Sequence, residues 1–211
     1  MYLSSLILNP RSRNARHDLA DVYEMHRTVM RAFADRSEGG AGSLLWRVDQ
    51  ERRSLCCSLL VQSSQQPDWS AIQSKWPNYF SESGLDGQPS MRTRKIPEWR
   101  FQIGQELVFR LRANPTVKRD GNRHGLQKED AQLGWIGRKA SQHGFSVTGL
   151  AVIAEPSRVG KKGGGHKMTF VSALFTGRLQ VTDPLSFRDA VGSGIGTAKA
   201  FGFGLLSLAR G

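Results

Sequence analysis

The chain has 211 residues, long enough to bury a proper core, and its 30 Lys plus Arg against 18 Asp plus Glu leave a net charge of +12. A pI near 10.4 points to a polyanionic partner, since each Lys or Arg that neutralises a phosphate releases condensed counterion, while 38% hydrophobic content excludes a disordered basic tail. No apolar run reaches the roughly 18 residues of a membrane span, the opening apolar run is too short for a signal peptide, and adjacent Cys56 and Cys57 offer neither a disulfide framework nor zinc spacing, so a cytoplasmic protein is expected.

In chain order, Tyr2–Leu8 reads as a strand closed by Asn9-Pro10. A basic connector, Arg11–Arg16, leads to Asp21, an N-cap with Glu24 in capping-box position, and the spacing predicts a helix from Val22 to about Arg36, stopped at Gly39-Gly40. Strands follow at Leu44–Val48 and Leu55–Gln62 around the charged turn Asp49–Arg53, and a short helix opens at Pro67-Asp68-Trp69-Ser70. Residues 81–98, rich in Ser, Gly, Pro and Arg, read as a loop, and Phe101–Arg112 reads as a strand ending in Asn114-Pro115. The order is βαββαβ, the split βαβ pattern of a ferredoxin-like domain.

The second half is similar in kind. After a basic linker, Lys118–Gly125, a helix is expected over Glu129–His143 with Leu133, Ile136 and Ala140 inward. Strands at Phe145–Ala154 and Met168–Val181 flank a polar loop, Glu155–Lys167; a short helix at Pro184–Val191, a glycine-rich stretch at 192–204 and a strand at Leu205–Ala209 complete the chain. The expectation is an α+β protein of tandem ferredoxin-like domains, 1–114 and 115–211. Basic charge is uneven: residues 1–100 carry 14 basic and 11 acidic side chains (+3), and 101–211 carry 16 and 7 (+9).

Four places hold candidate chemistry. On the first long helix Val22, Met25, Val29, Ala32 and Phe33 form an apolar stripe, with His26 at its edge and Tyr23, Arg27 and Arg31 beside it. A histidine there is either a packing residue or, near the anion-favouring start of the helix, a general acid–base group. The segment Gly192–Gly204 fits neither G-x-x-x-x-G-K-[ST] nor G-x-G-x-x-G, so no nucleotide cofactor is implied; it is either a loop approaching a polyanion with Lys199 as a point charge, or a tight packing turn. Arg158, Lys161, Lys162 and Lys167 fall within ten residues, either a basic β-hairpin for structured RNA or a solvated tip. Arg138 and Lys139 on the preceding helix, with Arg110 and Arg112, are phosphate contacts or solvated charge. The histidines at 17, 26, 124, 143 and 166 lack H-x-x-x-H or H-E-x-x-H spacing, so no metal is expected; a nuclease built this way takes the RNA's 2′-hydroxyl as its nucleophile.

Four blocks then match a known pattern: Tyr2-Leu3-Ser4; Tyr23-Glu-Met-His26-Arg27; Phe109-Arg-Leu-Arg-Ala-Asn-Pro115; and Gly194-Ile-Gly-x-x-Lys199 with Gly202-x-Gly-Leu-Leu-Ser-Leu-Ala209. In that order, spanning nearly the whole chain, they resemble the CasE family, the CRISPR RNA-processing endoribonucleases of the type I Cascade complex. The resemblance implies tandem ferredoxin-like domains that bind the stem-loop of a CRISPR repeat transcript and cut without metal or other cofactor at the 3′ base of the stem. The products carry a 2′,3′-cyclic phosphate and a 5′-hydroxyl, and the protein stays bound as a Cascade subunit beside other Cascade proteins. It places the family's catalytic pair on Tyr23 and His26, and its groove-binding cations on Arg138, Lys139, Arg158, Lys161 and Lys162. The chain departs from the family at Gly163-Gly-Gly165 and at 81–98, which carry no family motif.

Overall fold

The structure, a computed structural model, describes residues 1–34, 40–50, 57–84, 88–163 and 166–211. The expected helix end at Arg36, the stop residue Gly39, most of the turn 49–53, Leu55, Cys56, the centre of 81–98 (residues 85–87) and Gly164-Gly165 lie outside the described residues. The chain forms two compact units: Met1–Glu98 with Val159–Met168 and Ala200–Gly202, and Trp99–Arg158 with Thr169–Lys199 and Phe203–Gly211.

In the first unit, strands β1 (Tyr2–Leu8), β2 (Leu44–Gln50), β3 (Cys57–Ser63) and β4 (Met91–Lys95) form one sheet in the order β2-β3-β1-β4. All three pairings are antiparallel, with Leu6 of β1 opposite Leu59 of β3 and Met91 of β4. Helices α1 (Arg13–Ala20), α2 (Val22–Met30) and α3 (Ser70–Lys75) complete the unit. Leu6, Leu8, Met25, Val29, Leu45, Leu59, Ile72 and Tyr79 are buried. Two polar groups caught in this interior find partners: the Trp69 indole donates to Ser4 Oγ at 3.0 Å and Thr93 Oγ1 at 3.1 Å, and Tyr79 Oη donates to Asp18 Oδ2 at 2.8 Å.

The second unit repeats the topology. Strand β5 (Glu106–Ala113) is followed by a small hairpin, β6 (Thr116–Arg119) and β7 (Asn122–Gly125), then α4 (Glu129–Gln142), β8 (Phe145–Lys162), β9 (His166–Val181), α5 (Pro184–Ser193) and β10 (Leu206–Arg210). The sheet runs β10-β5-β9-β8. Each unit is therefore a βαββαβ sheet with its first and third strands central, the ferredoxin-like arrangement expected. Phe109, Leu111, Trp135, Ile136, Phe175 and Phe187 anchor this core. Behind it Arg112, 6% exposed, forks onto Glu155 at 2.6 and 2.7 Å, and Ser172 Oγ donates to the same carboxylate at 2.6 Å. Burial alone would raise the Glu155 pKa, but the Arg112 hydrogen bonds and charge, with Ser172, outweigh it and hold the carboxyl below its usual range.

Several expectations are corrected. The strand foreseen over 101–112 as the last of the first domain pairs instead with β9 and β10 in the second sheet, and the contacts divide the chain after Glu98 rather than at 114/115. The first sheet's fourth strand is β4, drawn from the segment read as a loop. Its sequence Met-Arg-Thr-Arg-Lys has a single apolar residue, so it carries no alternation signal; it is an edge strand held by backbone pairing to β1. Arg11–Arg16 is not all connector: Ser12 Oγ accepts from Ala15 N and starts α1. The helix α2 ends at Met30, tightening into i→i−3 bonds through Phe33. The basic linker is the β6–β7 hairpin. Described residues of the polar loop 155–167 are mostly continuations of β8 and β9.

Candidate active site

The first unit places its candidate chemistry on α2. Asp21 sits at the N-cap with extended backbone, and its Oδ1 accepts from Tyr23 N at 2.9 Å and Glu24 N at 3.3 Å. That bond fixes the first turn, and with it the residues one and two turns in. Val22, Met25, Thr28, Val29 and Ala32 face the core, so Tyr23, His26 and Arg27 point along the opposite edge. Tyr23 and His26 are half-buried, three residues apart, and meet the same ring: Phe201 lies 6.5 Å from the Tyr23 centroid and 6.1 Å, edge-on, from that of His26. The Nδ1 atom of His26 is buried, which leaves Nε2 as the ring nitrogen able to reach a substrate.

Phe201 is held by its neighbours. Trp46 Nε1 donates to Ala200 O at 3.0 Å, and Gly202, at φ +84°, lies so close that a Cβ there would fall 2.6 Å from the Trp46 ring. Glycine is required at 202 both by its backbone angle and by this approach. Gly196, at φ +92°, similarly packs under Trp135 in the second unit. The glycine-rich segment is therefore built for close packing. It presents Phe201, which no motif in the sequence singled out; an aromatic residue beside a glycine was the available signal.

The tip of the β8–β9 hairpin also belongs to this unit. Lys161 N donates to the Asp21 carboxylate at 3.1 and 3.3 Å, and Gly160 lies against Val22 and Tyr23, where a Cβ would meet both at 3.3 Å. Asp21 thus joins the start of α2 to the basic tip with one side chain. Lys161, Lys162 and Lys167 are exposed. Arg27 is exposed and pairs with Glu24 at 3.0 Å; Arg31 is exposed and lies over the Trp76 ring at 5.4 Å. Tyr23, His26, Arg27, Met30, Arg31, Phe33 and Ala71 line one open groove of about 670 Å³.

The remaining candidates fall in the second unit. Arg138 is exposed on α4 and Lys139, one residue on, is half-buried with its Nζ donating to Gln142 Oε1 at 2.8 Å. Lys199 is half-buried, its pKa lowered by burial and then by the charge of Lys139; His143 is lowered by burial, then by Lys139 and Lys199. Lys139 and Lys199 make a crowded pair of cations that disfavours a third charge on His143 and that an anion would relieve. Arg158 is half-buried and acts on Glu155. Among the described residues no group of three His, Cys, Asp or Glu side chains is placed to hold a metal ion.

With this geometry in view, residues 1–210 match the family model described as CRISPR associated protein. A Thermus thermophilus relative named CRISPR-associated endoribonuclease Cse3 is 35% identical over 99% of this chain and 100% of its own. The Escherichia coli K12 protein named CRISPR system Cascade subunit CasE is 30% identical over 99% of both. A solved structure of CRISPR endoribonuclease Cse3 bound to 19 nt RNA superposes with a TM-score of 0.85 at 33% identity, covering all of both chains. Thermus thermophilus Cse3 bound to an RNA representing a pre-cleavage complex gives 0.83 at 32%, over 99% of this chain and 98% of that one. The chain belongs to the CasE family of CRISPR-associated endoribonucleases, the one its four motif blocks resemble.

Proposed function

We propose that this protein is an endoribonuclease that binds the stem-loop of a CRISPR repeat transcript, cuts at the 3′ base of the stem and remains on the product as a cytoplasmic Cascade subunit. The observation that carries this reading is the pairing of Tyr23 and His26 on one face of α2, packed on Phe201 beside a groove with two arginines. In the reaction the 2′-hydroxyl next to the scissile phosphate attacks phosphorus and the bond to the leaving 5′-oxygen breaks. The 2′-hydroxyl loses a proton and the 5′-oxygen gains one, leaving a 2′,3′-cyclic phosphate and a 5′-hydroxyl. His26, through Nε2, serves one of these transfers; Tyr23 orients the 2′-hydroxyl or shares the proton work, and Arg27 with nearby cations steadies the charge on the phosphorane. Arg31, Lys161, Lys162 and Lys167 of the first unit, with Arg138, Lys139, Arg158 and Lys199 of the second, hold the RNA backbone.

The same residues without turnover would make an RNA-holding subunit, and the joint presence of Tyr23 and His26 favours the enzyme. One substitution in the RNA tests the reaction. A repeat hairpin with a single 2′-deoxy nucleotide immediately 5′ of the cut is expected to bind as the all-ribose hairpin does and to stay intact while the latter is cleaved. Cleavage of the deoxy RNA at the same bond would overturn the proposed chemistry. Binding of both without cleavage of either would favour the holding subunit.

A further inference from the structure

The groove beside His26 is longer than the proton transfer requires. It continues along α2 past Met30 to Arg31 and Phe33, and Ala71 of α3 also lines it. From His26 to Phe33 the helix and its tightened last turn rise roughly 10–12 Å, room for about three nucleotides at the roughly 3.4 Å spacing of a stacked strand. Its lining alternates in kind. Met30, Phe33 and Ala71 are apolar, whereas Arg27 and Arg31 are cationic, the combination that accepts a base face and its phosphate. The Arg31 end is also built up. Arg31 lies 5.4 Å and Lys75 5.2 Å from the centre of the half-buried Trp76 ring, which in turn stacks on the buried Tyr79 at 5.7 Å.

The two ends of α2 differ in a way that fixes polarity. The basic β-hairpin tip meets its N-terminal end, where Lys161 N reaches Asp21. If that tip grips the stem, which lies 5′ of the cut, the groove leading from His26 towards Arg31 runs to the 3′ side. We infer that this groove is a subsite for the single-stranded nucleotides immediately 3′ of the scissile phosphate, with Arg31 taking a phosphate and Met30 and Phe33 a base. The inference rests on the proposed function and adds that the protein reads the leaving strand, which positions the 5′-oxygen for departure.

The test uses the full-length protein and hairpins made uncleavable by a 2′-deoxy nucleotide at the cut, carrying zero, one, two or four nucleotides beyond it. Dissociation constants are measured at one fixed salt concentration. The expected result is an affinity that rises about tenfold over the first two or three nucleotides and then levels off. Arg31→Ala removes most of that gain, and its loss for the flanked hairpin exceeds its loss for the unflanked one at least fivefold. Arg31→Lys, which keeps the charge but not the planar group, retains part of the gain and supplies the answer should the alanine variant fail to fold. No gain with flank length, or an equal gain in wild type and the Arg31 variants, overturns the subsite alone. If the unflanked hairpin binds no better than an unstructured RNA of equal length, the functional reading falls together with it.

Discussion

The helices α2 and α4 both fall between the first and second strands of their unit's four-stranded sheet, yet they carry their candidate groups at opposite ends. The nine-residue α2 is capped by the Asp21 side chain and carries Tyr23 and His26 in its first two turns. The fourteen-residue α4 has no side-chain cap at Lys128 and gathers its cations, Arg138 and Lys139, in its last turns. Proton transfer needs side chains fixed to a fraction of an ångström, which suits the proposed pair to a helix start where a cap pins the backbone. Phosphate binding by cations needs charge density more than precision, a role the crowded helix end beside Lys199 could serve. On the proposed reading, the same scaffold supports reaction in one unit and grip in the other.

Substitutions are expected to separate these roles. The largest effect belongs to His26→Ala, which removes the proposed general acid–base group and is expected to slow single-turnover cleavage by about 10²–10⁴-fold, with RNA affinity unchanged in a filter-binding or anisotropy assay. Wild-type cleavage by this variant would return His26 to a packing role. Asp21→Ala comes next. Loss of the cap costs about 1 kcal/mol of stability, read by denaturant unfolding, and because the same carboxylate holds Lys161 N, the cleavage rate at saturating protein falls as well. A stability loss with an unchanged rate would show that Asp21 is a cap only.

Smaller effects are expected in the second unit. Lys139→Ala or Lys199→Ala is predicted to flatten the slope of log affinity against log salt by about one and to leave the bond cut unchanged. Acid sensitivity is the subtlest expectation. His143 is lowered from its usual 6.5 and Glu155 from 4.5, so for each the unfolded chain binds the proton more readily. Stability is therefore lost as pH falls, first below about 6.5 through His143 and then below about 4.5 as Glu155 protonates and releases Arg112. Thermal unfolding followed across this range is expected to show the lower step disappear in Glu155→Gln; persistence of that step would place the sensitivity elsewhere.

Much of this was legible in the sequence. Strand β1 and the inward stripe of α2 follow from apolar spacing, and the βαββαβ pattern was readable, though with the strand over 101–112 assigned to the first unit instead of the second. The first unit's last strand was not, because Met91–Lys95 is basic on both faces and owes its place to backbone pairing with β1. Helix α1 was hidden for a similar reason: it buries only Ala15 and Asp18, so it lacks an apolar stripe. At the candidate site, Tyr23 and His26 were visible as a helical pair, whereas Phe201 was not. Its approach depends on Gly202 fitting under Trp46, a contact between residues far apart in the chain. The second task of Asp21 was equally out of reach, since its partner Lys161 arrives on a β-hairpin 140 residues away.

The central claim is that the RNA supplies its own nucleophile and the side chains of α2 manage the protons. Its most direct test is incubation of the pure protein with a repeat hairpin RNA in excess EDTA, with the product ends identified. The account predicts a single cut at the 3′ base of the stem, leaving a 2′,3′-cyclic phosphate and a 5′-hydroxyl. Failure to cut in EDTA, with cleavage restored by magnesium and a 5′-phosphate on the product, would contradict it.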